Sequence, residues 1–211
     1  MNFLSFILKK LKTNLMSKNF NPIVVVAGEP KSVFLELYFK TYKKIKKNPL
    51  ILIASKKLIL EHLKILKFKT SINVLHNNKK INYKMLNNKM INLIDIPLNY
   101  KSIIDIKIKN SNEYIKRCFN KAIELIKKDK KLNLINGPII KKSFLGKNYL
   151  GITEYLGTKY KVSDKVVMLI YNKNLSVCPL TTHIPLKRVH KNISKKNIIN
   201  HVEKIYKFYR K

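Results

Sequence analysis

From Pro22 onward, apolar and polar positions follow two alternating periods. Ile23-Val24-Val25-Val26-Ala27 is an unbroken, mostly β-branched run, the pattern of a strand covered on both faces. Phe34, Leu35, Tyr38, Phe39, Tyr42 and Ile45 then recur at helical spacing with lysines opposite, which predicts an amphipathic helix. Leu50-Ile51-Leu52-Ile53-Ala54 repeats the strand pattern, and residues 56–67 the helical one. Between Ser71 and Ile108 the signal weakens to short apolar runs at 72–75 and 91–96, set between Asn/Lys-rich turns. Ser111 predicts the N-cap of a helix through about Lys128, with Tyr114, Ile115, Phe119, Ala122, Ile123 and Ile126 on one face. The strand pattern returns at residues 132–135, at 164–170, and at 177–183, where it ends in two hydroxyls and an imidazole. Ser194 predicts the cap of a last helix whose stripe is Ile198, Val202, Ile205 and Tyr209, still running at Lys211. Strands alternating with helices predict an α/β fold, a largely parallel sheet with helices on both faces in a three-layer α/β/α arrangement.

Composition bounds this picture. The 211 residues, 45% apolar, suffice for one good core or two small ones. Cys118 and Cys178 show no paired spacing, which points to a reducing compartment and a cytoplasmic location. No apolar run approaches the ~20 residues of a membrane span. The net charge of +34 suggests phosphate binding. Yet the charge is nearly all lysine, with Arg117, Arg188 and Arg210 the only arginines, and it is spread through every segment. Lysine filling solvated faces accounts for that better than a specific nucleic-acid surface.

Residues 1–20 stand apart as a basic extension, with Phe3, Leu4, Phe6, Ile7 and Leu8 followed by Lys9, Lys10 and Lys12. A secretory signal would put its charge before the apolar run and a small-residue cleavage site after it; neither is present. A short amphipathic surface helix fits the pattern. A disordered tail, or an untranslated segment before a start at Met16, fits it more simply. Residues 21–211 then form the body of the protein.

Four segments carry candidate chemistry. Gly28-Glu29-Pro30 follows the first strand, in the position of a phosphate- or substrate-facing loop, and by itself reads first as a tight turn and second as a binding loop; no G-x-G-x-x-G or Walker pattern occurs in the chain. Gly137-Pro138-Ile139-Ile140-Lys141 places a lysine just past a strand end, where it can meet a phosphate or carboxylate. Without further context, Lys141 is one more surface lysine. Gly151-Ile152-Thr153-Glu154 adds a hydroxyl and a carboxylate. In Thr181-Thr182-His183-Ile184-Pro185-Leu186, the imidazole suits a divalent metal and the threonines can orient it, although a lone histidine is more often structural. His62, His76, His190 and His201 show no ligand spacing and read as solvent-exposed.

In order and spacing, the segments at 137–141, 151–154, 164–170 and 177–186 resemble the 4-hydroxythreonine-4-phosphate dehydrogenase family of vitamin B6 synthesis. The resemblance implies an isocitrate/isopropylmalate dehydrogenase-like fold and a dimer with its site between subunits. It also implies NAD- and metal-dependent (Zn, Mg or Co) oxidation, with decarboxylation, of 4-phosphooxy-L-threonine to 3-amino-2-oxopropyl phosphate on the way to pyridoxal phosphate. Gly28, Glu29, Pro30 and Glu36 match the family, whereas Lys31-Ser32-Val33-Phe34-Leu35 replaces its glycine-rich middle. Lys141 and Thr153 match as substrate-binding residues and Glu154 as a supporting one; Ile140 stands for the family Asn and Ile152 for its His. His183 matches the first of three metal-binding histidines. The family's other two histidines, its catalytic carboxylate and its nicotinamide contacts lie further along than Lys211. The resemblance therefore implies a C-terminally incomplete fold, a truncated or split enzyme inactive alone. A non-catalytic partner subunit completed by a second half is the alternative, and a basic nucleic-acid-binding protein a lesser one.

Overall fold

The computed structural model describes residues 21–76, 81–162, 166–172, 174–182 and 184–210. The apolar runs form strands β1 (Ile23–Val26), β2 (Leu50–Ala54), β3 (Ile72–Val74), β4 (Ile91–Asp95) and β5 (Asn133–Asn136). They pair in the order β3-β4-β2-β1-β5 with every pairing parallel. Ile23 stands opposite both Leu50 and Asn133, and Ile51 opposite Asn92. Helices α1 (Phe34–Thr41), α2 (Lys56–Ile65), α3 (Ile108–Lys128) and the short α4 (Lys141–Phe144) belong with this sheet, in a compact unit that extends to Gly146. A second unit begins at Lys147 and holds α5 (Ile152–Lys159), α6 (Val189–Asn192) and α7 (Lys195–Tyr209).

Successive residues of a strand point to opposite faces, and here both faces are covered. Val25, Ala27, Leu50, Leu52, Ala54, Ile91 and Leu93 share one core with Leu35, Tyr38, Phe39, Leu58, Ile59 and Leu63 of α1 and α2. The alternate set, Val24, Val26, Ile51, Ile53 and Ile94, is equally buried. It faces α3, which packs on β1 and β2 with Tyr114, Ile115, Cys118, Phe119 and Ala122 inside. Strands buried on both sides have no polar face to alternate, which is why they read as unbroken runs. The expected three layers are present. At the sheet edge, β5 alternates exposed and half-buried positions instead.

Two polar groups inside this core are fully used. Asn92 donates to the carbonyls of Leu50 and Asn87 and accepts from the Asn73 amide. The Tyr114 hydroxyl accepts the Ser55 amide at 2.9 Å, tying α3 to the end of β2 where Ser55 caps α2.

Several expectations are corrected. Helix α3 begins at Ile108 with Lys107 at its N-cap, so Ser111 closes the first turn rather than capping it. Residues 166–169 form no strand; among the described residues of the two segments, 166–170 and 177–182, the pairing is the antiparallel bridge between Ile170 and Val177. An apolar run becomes a strand only where another backbone edge completes its hydrogen bonds, and the described parts of these two find that edge at one point. Ser194 does cap α7, accepting from the Asn197 amide, but Ile198 and Val202 are nearly half exposed. His62 and His201 are half-buried rather than exposed, each ring bonding a carbonyl one turn earlier, of Leu58 and Asn197. His76 and His190 are exposed. Residues 1–20 and His183 lie outside the described residues. No helix among the described residues is long and apolar enough to cross a membrane.

Replacing Tyr114 by Phe leaves the Ser55 amide buried without an acceptor, a loss of ~1–3 kcal/mol. It is expected as a lower urea midpoint at unchanged m-value. Burial also pushes the Cys118 thiol up from 9.0 to about 12. The unfolded thiol gives up its proton first, so this contribution is complete below pH ~9 and is lost as pH rises toward 12. Urea midpoints should fall across that alkaline window, and fall less in Cys118→Val.

Candidate functional site

The connections of β1 and β5 define the site. After β1 the chain enters α1 on one face of the sheet. After β5 it enters α4, whose Phe144 ring lies 5.8 Å from that of Phe119 on α3, on the opposite face. Neighbouring parallel strands that leave to opposite faces make a topological switch point, and ligands of such sheets bind in the crevice at the carboxyl ends of those strands. The loops there are Gly28-Glu29-Pro30 and Gly137-Pro138-Ile139-Ile140-Lys141.

These two turns touch backbone to backbone. The Gly137 amide donates to the Val26 carbonyl at 2.7 Å, and the Glu29 amide to the Pro138 carbonyl at 2.8 Å. Gly28 has φ +77°, and a Cβ there would stand 2.3 Å from the Pro138 oxygen. A Cβ on Gly137 would stand 2.1 Å from the Ala27 oxygen. Only glycine fits at either position.

The first turn of α3 braces the same corner. The Ser111 hydroxyl, on a residue only 1% exposed, donates to Oε2 of Glu29 at 2.7 Å. Asn112 donates to the Ser143 carbonyl at 3.0 Å. Ser32 closes the Glu29 turn, its amide and hydroxyl both donating to the Glu29 carbonyl. The Ser111 side chain is therefore spent on a carboxylate, from a position inside the first turn of α3 rather than at its cap. Nothing in the spacing announces this contact, since the two residues are 82 positions apart.

The structure places the other candidates as follows. Lys141 opens α4, exposed, with no ion pair among the described residues. It adjoins the Gly137-Pro138 turn in the same unit as Glu29. Thr153 lies half-buried in the first turn of α5, in the second unit, between half-buried Ile152 and Glu154. Thr181 and Thr182 are half-buried. No group of three or more His, Cys, Asp or Glu among the described residues is placed to hold a metal ion. A catalytic divalent cation takes about three protein ligands, and the described residues do not bring that many together. The chain also lacks the glycine fingerprint that would cradle a dinucleotide.

A family model described as pyridoxal phosphate biosynthetic protein PdxA matches residues 46–211. The chain belongs to that family. The match takes in Lys141, Thr153 and His183 and begins after Gly28-Glu29-Pro30. The chain is 31% identical over 193 residues to a 4-hydroxythreonine-4-phosphate dehydrogenase of Sulfurihydrogenibium sp. (strain YO3AOP1), covering 87% of this chain and 56% of that protein. A Fusobacterium nucleatum protein provisionally named D-threonate 4-phosphate dehydrogenase is 28% identical over 88% of this chain and 57% of its own length. The chain thus spans little more than half the length of the curated relatives it matches. The crystal structure of 4-hydroxythreonine-4-phosphate dehydrogenase from Klebsiella pneumoniae superposes with a TM-score of 0.73 at 19% identity, over 90% of this chain and 59% of that one. The enzyme of that name from Burkholderia phymatum gives 0.72 at 18%, over 88% and 57%. The α/β fold is shared with both.

Gly28→Ala forces an alanine into the left-handed region against backbone atoms that have little room to yield. Strain of ~1–3 kcal/mol from the dihedral alone, with the overlap added, should lower the thermal midpoint well beyond the effect of Ser32→Ala, which removes a single turn hydrogen bond.

Proposed function

We propose that the chain serves in the NAD- and metal-dependent oxidation, with decarboxylation, of 4-phosphooxy-L-threonine (4-hydroxythreonine 4-phosphate) to 3-amino-2-oxopropyl phosphate, a reaction of pyridoxal phosphate synthesis. The observation that carries this reading is the family match over residues 46–211, which contains Lys141, Thr153 and the Thr181-Thr182-His183 segment. In such a reaction NAD accepts the hydride and a divalent cation supplies Lewis acidity at the reacting oxygen. His183 would supply one ligand to that cation, with a dimer partner or a complementing chain supplying the rest.

The residues of this chain bind and orient. Lys141, a cation next to a strand end at the switch point, suits the phosphate or carboxylate of the substrate. Thr153 offers a hydroxyl that both donates and accepts. Ile152, where the family resemblance calls for His, leaves one polar contact fewer and favours apolar contact at that place. The 28% identical relative named for D-threonate 4-phosphate supports a second reading, in which the ligand carries a hydroxyl where the amino acid carries its ammonium.

Calorimetry on the purified chain tests the proposal. 4-Phosphooxy-L-threonine should bind saturably, and Lys141→Ala should weaken it about tenfold or more, as loss of a hydrogen bond to a charged group does. With NAD and Zn, Mg or Co added, little NADH is expected from the chain alone, because its described residues hold too few metal ligands. No saturable binding, or an unchanged affinity in Lys141→Ala, would sink the substrate reading.

A further inference from the structure

The chain has 45 lysines and arginines against 11 acidic residues, and one of those acids, Glu29, stands at the switch-point crevice. The ion pairs among the described residues use Glu36, Glu124 and Glu203 and leave Glu29 out. Its Oε2 is held by the buried Ser111 hydroxyl. Its Oε1 has no hydrogen-bond partner among the described residues, yet is absent from the buried, unpartnered atoms. The residue is half-buried, so solvent reaches Oε1. One oxygen is fixed and the other presented.

The presentation is rigid. The Glu29 amide is anchored on the Pro138 carbonyl and its carbonyl takes both Ser32 donors. The adjoining turn carries Lys141, of opposite charge and likewise unpaired. A fixed carboxylate and a free ammonium on two laced turns complement a ligand that carries both charges.

We propose that Glu29 recognises the ammonium group of a phosphorylated amino acid in this crevice, and that Ser111 is the positioning residue that aims its carboxylate. This rests on the substrate reading above and sharpens it: an N–H of the ligand donates to Oε1, a charge-assisted hydrogen bond. A C2 hydroxyl can donate to the same oxygen, but without the ammonium's positive charge it is the weaker partner. Glu29 is then the residue that separates 4-phosphooxy-L-threonine from D-threonate 4-phosphate.

Calorimetric titration of both ligands into the unsubstituted full chain, Glu29→Gln and Ser111→Ala decides it. The unsubstituted chain should prefer the amino acid about tenfold or more. Glu29→Gln, which keeps the shape and an oxygen for Ser111, should lose that preference by weakening the amino acid far more than D-threonate 4-phosphate. Ser111→Ala should lose part of it, and Ser111→Thr should restore it; a purely structural tie would move both ligands together. Equal affinity of the unsubstituted chain for the two ligands overturns the proposal without any variant having to fold. Equal weakening of both by Glu29→Gln also overturns it and leaves the substrate reading intact. Binding of neither ligand overturns the substrate reading and this inference with it.

Discussion

Two strand ends that leave no room for a side chain set the geometry of the candidate site. Gly28 and Gly137 bring the turns after β1 and β5 so close that a single Cβ would meet backbone oxygen at 2.3 or 2.1 Å. Side chains can rotate away from an intruding atom; laced backbones cannot, because each is also committed to a ladder and to a cross-turn hydrogen bond. The approach fixes Glu29 relative to the Gly137-Pro138 turn, and through Ser111 and Asn112 it fixes the start of α3 relative to both. A site built this way sits on the sheet rather than on a wandering loop, which is the condition for holding a ligand in one orientation.

The sheet can make that demand because it is buried on both faces. Hydrophobic area on α1 and α2 covers one side and α3 the other, so β1 has little freedom to shift when its turn is crowded. The polar groups within the layers reinforce this. Asn92 links three segments at the amino ends of β2 and β4, while Tyr114 links α3 to Ser55 at the opposite end. Each would be costly buried and unpaired; paired, each restricts the register between layers.

Much of this architecture was legible in the chain. The runs at β1, β2 and β4 and the helical stripe of α3 are long, one-signed signals, and a doubly covered strand gives no polar alternation to confuse them. What could not be read is which turns meet. β5 pairs with β1 across more than a hundred residues, so no local pattern places Pro138 beside Glu29. Ser111 misleads for a related reason: a serine ahead of an apolar stripe is what a cap looks like, and only the fold shows a carboxylate waiting for its hydroxyl. The apolar run at 166–170 shows the converse limit, because period declares a readiness to pair and cannot supply the partner. Of the candidate site, Lys141 and Thr153 came from family resemblance. Glu29 was legible only as part of a turn or binding loop, because its tie to Ser111 exists only in the folded chain.

Charge follows the same logic. Lysine is spread so evenly along this chain that its abundance says little about ligands, and any anion will feel a diffuse attraction that salt screens. Specific recognition in such a field has to come from a group whose position is over-determined or whose sign is rare. Lys141 meets the first condition weakly, as an exposed side chain at the start of a short helix. Glu29 meets both: it is an acid among lysines, tethered at its amide, its carbonyl and one carboxylate oxygen. Ser111 and the two turns hold it in the corner, so that a donor brought into the crevice meets an acceptor whose place is already set and does not have to be ordered on binding.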